Sequence, residues 1–287
     1  MKTITGERVN ISIIDKVTYE HIHRYLLAKN YVENKIVLDI ACGTGYGSFF
    51  LSHHALKVVG IDINEEVINE NKTKYIKRNL DFLVGQIDNI PIEDNSIDVV
   101  VSFETIEHVH NAKKTLSEIK RVLKKNGLLI ISTPNKFFSD KYQIKNPFHI
   151  KEYDVDEFKN LILEYFQYQN VFFQIANFNS LIIPENLEVN NVNLENVDKH
   201  SLSNEVIKRD NNENWFKEYI IVVASDEAIN VSNNIEILNS NECYVHLANH
   251  IKKIYNSTNY RVGYVMTYPI KLIMHLLNIK KYPDILS

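Results

Sequence analysis

Cysteine is nearly absent: Cys42 and Cys243 are the only two in 287 residues. Two thiols give no readable disulfide framework, and such sparse usage fits a reducing compartment. Long apolar runs are missing as well. No stretch of about 18 apolar residues occurs, so no spanning helix is expected. The opening MKTITGERVN is polar and holds no apolar signal core, which predicts a cytoplasmic protein or one seated at the inner face of the membrane. An excess of positive charge is lacking too. The formal net charge is −4, which gives no global basic field for nucleic acid and leaves only a local patch open. No internal repeat is evident. What is present is an ordinary globular composition, 45% hydrophobic and 24% charged, enough for one large domain with or without a small second unit.

The pattern along the chain alternates strand and helix. A helix is expected over 19–29, ahead of a short apolar strand at 35–40 that runs into a glycine-rich turn. A second strand follows at 57–63, and Asn64 with Glu65 and Glu66 suits a helix start. Strands are expected near 82–84, 97–103, 128–132, 171–176 and 219–224. An amphipathic helix over 111–125 is expected to end at Asn126-Gly127, and Asp154 to Glu157 reads as a capping box. This rhythm predicts an α/β fold: a doubly wound, seven-stranded, mainly parallel sheet with helices on both faces. Residues 1–34 would be an N-terminal lid segment and 35–225 the main domain, with 184–214 a polar insertion. Residues 226–287 would form a helical C-terminal extension, whose apolar, lysine-flanked stretch at 261–281 suits an interfacial helix.

Two features carry chemistry. The first strand runs into VLDIACGTGYGS, which sets Gly43, Gly45 and Gly47 in a strand-to-helix turn. Glycine allows a tight bend and close approach to a ligand at a helix N-terminus. Asp62 ends the second strand nineteen positions after Gly43, where an acid can hold both hydroxyls of a ribose. A buried turn former at Asp39 and a mere helix cap at Asp62 are the lesser alternatives. Cys42 has no positive partner nearby, so it reads as small apolar lining and not as a nucleophile. The second feature is SFETIEHVH at 102–110, where an apolar strand ends. On a helix, Glu104, Glu107 and His108 would share one face. Two such carboxylates repel unless something positive lies between them. A solvated face, a metal site and a general base are all open.

The D-I-A-C-G-T-G-Y-G segment departs from the G-x-G-x-x-G of dinucleotide enzymes. It resembles motif I of the class I S-adenosylmethionine (SAM)-dependent methyltransferases, and the resemblance covers residues 35–135, with several motifs in order. It implies a SAM site made of Asp39, Gly43, Gly45, Gly47, Asp62, Ile63, Gln86, Ile87 and Phe103, with Arg24 of the lid meeting the methionine carboxylate. Gln86 stands where the family usually has Asp, which weakens the adenine contact without removing it. Glu104-Thr-Ile-Glu107-His108 is similar to the metal-binding segment of ubiquinone-pathway O-methyltransferases and of small-RNA 3′-terminal 2′-O-methyltransferases. With His149 of NPFHIKEY it implies a Mg²⁺ or Mn²⁺ site of Glu104, Glu107, His108 and His149 that orients a vicinal diol. Without a metal, His108 or His149 would act as base.

A wider similarity, through GERVN, YEHIHRYLLA, STPNKFFSDKYQIKNPFHIKEY and NSTNYRVGYVMTYPIKLI, is to bacterial methyltransferases of surface-polysaccharide biosynthesis. It implies O-methylation of a sugar hydroxyl on a surface glycan or on its nucleotide-sugar or lipid-linked precursor, with glycosyltransferase or peripheral membrane association. Lys136, Lys141, Lys145 and Lys151 interleave with Phe137, Phe138, Tyr142 and Phe148, a mixture that suits sugars and phosphates, and also single-stranded RNA. RNA 3′-terminal ribose methylation is therefore one alternative, which the acidic net charge disfavours. A non-catalytic SAM-fold scaffold in a glycan assembly complex is the other.

Overall fold

The computed structural model describes residues 16–176, 179–185, 217–229 and 236–239. Contacts divide the chain into two units, Met1–Tyr244 and Val245–Ser287, and the second lies wholly outside the described residues. So do residues 1–15 of the expected lid, the polar insertion beyond Glu185, Cys243 and the expected interfacial helix at 261–281.

Helix α1 (Lys16–Lys29) leads into β1 (Ile36–Ile40), α2 (Tyr46–Leu51), β2 (Lys57–Asp62), α3 (Glu65–Lys74), β3 (Leu80–Val84) and β4 (Ile97–Phe103). A single 3₁₀ turn (Ile106–His108), α4 (Ala112–Val122) and β5 (Leu123–Pro134) follow, then α5 (Lys136–Tyr142), α6 (Val155–Leu163) and β6 (Tyr168–Ala176). The described chain closes with β7 (Asn179–Pro184), β8 (Tyr219–Ser225) and β9 (Glu236–Asn239). The sheet order is β3-β2-β1-β4-β5-β8-β6-β7-β9. Strands β1 to β5 pair in parallel. Strand β8 inserts antiparallel between β5 and β6, which restores the common direction to β6.

The seven expected strands are thus present, and the first seven positions of the order are a Rossmann-like class I methyltransferase sheet. The edge extends further than expected, because β7 and β9 continue past β6 in antiparallel pairing. The C-terminal boundary moves accordingly. Glu236–Asn239, assigned from the sequence to a helical extension beginning at 226, is a strand of the main sheet.

Strands β1 and β4 are mostly apolar, broken only by Asp39 and by Asp98 and Ser102, because both faces are covered. Leu38, Ile40 and Val100 pack with Leu116 and Ile119 of α4 on one face. Val37, Val99 and Val101 pack with Leu51 and Ile68 on the other. Local signals hold where a cap decides them. The Asn64 side chain accepts from Val67 N, and Asp154 with Glu157 forms the full capping box. Helix α4 ends at Val122, not at Asn126-Gly127. Leu123 already pairs with Ile97, and the register then shifts before Val99 meets Leu128. Sheet pairing takes Lys124 and Lys125 away from the helix to which their charge suited them.

Candidate functional site

The order β3-β2-β1-β4-β5 reverses direction between β1 and β4, and the loops that follow these two strands meet at the carboxyl edge of the sheet, where open α/β sheets bind ligands. The loop after β1 is braced from both sides. Asp62 Oδ2 accepts from Gly43 N at 3.0 Å and its Oδ1 from Asn64 N at 2.9 Å. From α3, Asn71 Nδ2 donates to Gly43 O at 2.7 Å. Gly45 caps α2 at φ +74°, and a Cβ there would lie 2.7 Å from the Asn71 side chain. A Cβ built on Gly43 meets no heavy atom within 4 Å, so the space over this loop is open.

Asp39 sits beneath the loop, 1% exposed. Its carboxylate accepts from Ser48 Oγ at 2.6 Å and from Tyr25 Oη at 3.1 and 3.2 Å. Burial lifts its pKa to about 7 even though both hydroxyls favour the anion. Gly47 is placed differently from expectation. A Cβ there would lie 1.9 Å from Tyr25 Cζ, so glycine at 47 makes room for the ring that reaches Asp39. Phe103 faces the same ring, edge-on at 5.1 Å. Around the loop, Ile63 and Gln86 are exposed, and Ile87 packs half-buried against the core. Burial, followed by the charges of Asp39 and Asp62, pushes the Cys42 thiol well up, which agrees with an inert lining role.

The second loop does not present a helix face. Glu104 lies before the 3₁₀ turn at φ +50°, so only Glu107 and His108 belong to the turn itself. Glu104 Oε1 accepts from Ser132 Oγ at 2.7 Å. Glu107 is fully buried; its Oε2 accepts from Thr133 Oγ1 at 3.1 Å, while Oε1 has no hydrogen-bond partner. Burial first, and Glu104 second, raise the Glu107 carboxyl well above the ordinary range. Burial also raises Glu104, against the pull of Arg24.

Arg24, fully buried on α1, is the positive charge that this acidic pair requires. Its Nη1 donates to Gln174 Oε1 at 2.6 Å, and its guanidinium lies 4.5 Å over the Tyr219 ring. Nε and Nη2 have no hydrogen-bond partner, and neither does the nearby buried Tyr46 hydroxyl. Burial alone would lower the Arg24 pKa, but Glu104, Tyr219 and Glu20 reverse that and raise it.

Three of the four expected metal ligands come together. Atoms of Glu107, His108 and His149 lie within 4.8 Å of one another, with Glu107 Oε1 3.9 Å from His108 Nε2. Glu104 falls outside that group because Ser132 and Arg24 hold it. His108 Nδ1 lies 3.1 Å from Phe148 O, an acceptor only, so Nδ1 carries the proton and Nε2 offers its lone pair. His149 Nδ1 lies 2.5 Å from Glu152 Oε1, and Nε2 lies 2.8 Å from Asn146 Nδ2. The Asn146 amide is oriented by Phe148 N, which donates to Oδ1 at 3.0 Å. His149 therefore donates to Glu152 and accepts from Asn146. The sequence did not single out Tyr25, Asn71, Ser132, Asn146 or Glu152 as site residues: Tyr25, Asn71 and Ser132 act across the fold, and Asn146 and Glu152, although they flank His149 within NPFHIKEY, are set against its ring only by the local turn.

Residues 38–131 match the family model described as a methyltransferase domain. Over these residues the chain is similar to methyltransferase domains, and its fold is that of the class I methyltransferases. Among similar chains, a Mycobacterium tuberculosis protein named "Probable S-adenosylmethionine-dependent methyltransferase" is 32% identical over 173 residues, 56% of this chain and 60% of that one. A phthiotriol/phenolphthiotriol dimycocerosates methyltransferase of the same species is 32% identical over 117 residues, 39% of this chain and 43% of that one. The chain thus spans less than two thirds of either relative. A crystal structure of a SAM-dependent methyltransferase from Thermotoga maritima superposes with a TM-score of 0.52 at 16% identity, over 74% of this chain and 91% of that one, a likeness of fold. Among the described residues, no helix is long and apolar enough to cross a membrane.

Proposed function

We propose that the protein transfers the methyl group of SAM to a sugar hydroxyl of a surface glycan or of its nucleotide- or lipid-linked precursor. The observation that carries the reading is the contact of His108 Nδ1 with the Phe148 carbonyl oxygen at 3.1 Å. The Nδ1 proton is spent on Phe148 O, so Nε2 is the basic nitrogen beside the Glu107 carboxyl. A hydroxyl acceptor needs such a group to take its proton as the oxygen attacks the methyl carbon.

The donor side fits SAM on this chain's own features. Open space over Gly43 leaves room for the nucleoside, with Asp62 at the ribose and Gln86 and Ile87 at the adenine. The unpartnered Nε and Nη2 of Arg24 and the Tyr46 hydroxyl suit the methionine carboxylate. Asp39 supports the loop through Tyr25 and Ser48.

The residues present also fit a divalent ion. Glu107 Oε1 is a buried, unpartnered oxygen, and the second ring nitrogens of His108 and His149 are held by a carbonyl and a carboxylate, as in many metal sites. Glu107, His108 and His149 would hold it, and two imidazoles favour Mn²⁺ over Mg²⁺. When bound, the ion would hold the acceptor oxygen and lower its pKa. Asn146 would have to release His149 Nε2 for that set to form.

The glycan rests on the sequence similarity at both ends of the chain. The test is transfer of labelled methyl from SAM to nucleotide sugars, lipid-linked glycans and a 3′-terminal RNA diol. Label in an alkali-stable ether on a sugar is the expected result. Label on RNA alone, or on an amine, would overturn the reading.

A further inference from the structure

Residues 136–151, which comprise α5 and the segment that carries His149, expose an unusual mixture. Five of the twelve large apolar side chains exposed among the described residues fall here: Phe137, Tyr142, Ile144, Phe148 and Ile150, each 47–52% exposed. The same stretch holds four exposed lysines and one acid, Asp140, in a chain of net charge −4. Lys151 pairs with Glu157 and lies over the Tyr153 ring. Lys136, Lys141 and Lys145 make no ion pair among the described residues.

The stretch is ordered, not frayed. Asn135 caps α5 by accepting from Phe137 N, Gln143 closes it at φ +55°, and Ile144 N returns to Ser139 O at 2.9 Å. Its far end is fastened to the site, since Ile150 N and Lys151 N both donate to Glu107 O, at 2.8 and 3.1 Å. Clustered exposed apolar groups mark an interaction surface. Apolar and aromatic side chains interleaved with unpaired lysines complement a surface that is apolar at depth and anionic on top.

We propose that residues 136–151 dock on an anionic lipid surface and bring a lipid-linked acceptor to His108 and His149. This rests on the proposed methyl transfer and selects one acceptor class from it. Aromatics and lysines also serve single-stranded RNA. Stacking on bases, however, explains neither Ile144 nor Ile150.

The experiment is flotation of the full chain with phosphatidylcholine vesicles, with and without phosphatidylglycerol. Binding to the anionic vesicles only is expected. K136Q/K141Q/K145Q should weaken it about a hundredfold, at about 1 kcal/mol for each lysine. F137S/Y142S/I144S should weaken it with salt sensitivity retained. S-adenosylhomocysteine binding measured on each variant reports that the fold is intact. Wild-type chain that binds the product but no vesicle would overturn the docking and leave the methyl transfer standing. Vesicle binding that survives both triple variants, or loss in the lysine variant of RNA binding alone, would also overturn it.

Discussion

A 2.6 Å hydrogen bond between two buried side chains, Arg24 Nη1 and Gln174 Oε1, ties α1 to β6 across 150 positions. Gln174 returns through its own amide to Glu20 O at 3.0 Å, so one side chain fastens the helix before the sheet to a strand near its end. Gln174→Leu would leave a third guanidinium nitrogen unsatisfied and remove a donor from α1. The expected cost is about 2–4 kcal/mol, read as a lower urea midpoint at unchanged slope. A shift within error would show that α1 is held by packing alone.

If Arg24 meets the methionine carboxylate, its effect depends on that carboxylate. Arg24→Gln should weaken S-adenosylhomocysteine about 10–100-fold in calorimetry. It should leave 5′-methylthioadenosine, which lacks the amino-acid part, unchanged. Equal losses for both ligands would mean that Arg24 serves only the fold.

His23 is buried beside Arg24. Burial, followed by that charge, lowers its imidazole pKa from 6.5 to about 3. The unfolded chain takes up this proton near pH 6.5, and the folded chain only near pH 3. The unfolded state therefore binds more protons between those values, and stability is lost as pH falls through the window, by up to about 1.4 kcal/mol per pH unit. His23→Gln should flatten the fall in urea midpoint between about pH 7 and pH 5. His21, lowered for the same reasons, would keep part of it. An unaltered slope would mean that His23 is charged in the folded protein.

Gly47→Ala sets a methyl into the Tyr25 ring and should displace the hydroxyl from Asp39. Overpacking of this kind costs about 1–3 kcal/mol. Tyr25→Phe, which leaves the packing alone, should cost about 1 kcal/mol. If Gly47→Ala proved neutral, the ring would have to be free to move aside.

For the acceptor side, Asn146→Ala should strengthen Mn²⁺ binding to the S-adenosylhomocysteine complex by removing the amide from His149 Nε2, and Glu107→Ala should abolish it. No Mn²⁺ heat in either variant or in the wild type would leave His108 as a base acting without metal. His108→Gln should then cost about 10²–10⁴-fold in methyl transfer with product binding intact.

Much of the fold was legible because local signals agreed with the sheet. Asn64 and Asp154 cap where their side chains can, and β1, β2 and β4 are apolar on both faces. Where a distant partner decides, reading failed. Leu123 belongs to a strand because Ile97 lies beside it, and nothing in a helix-like run of lysines announces that. The four residues of β9 carry no period of their own. At the site, the motif residues were visible, but Glu104 was placed on a helix face that its positive φ rules out. Gly47 looked like part of the ligand loop until the Tyr25 ring occupied its space.

The central claim is that the loop between β1 and α2, with Gly43 and Gly45, holds SAM. The most direct measurement is calorimetric titration of S-adenosylhomocysteine into the full chain and into Asp62→Ala, which loses the brace on Gly43 N. Saturable one-to-one binding, weakened at least about tenfold in the variant, is the expected result. A wild-type chain, folded by circular dichroism, that gives no heat with the product would contradict the claim.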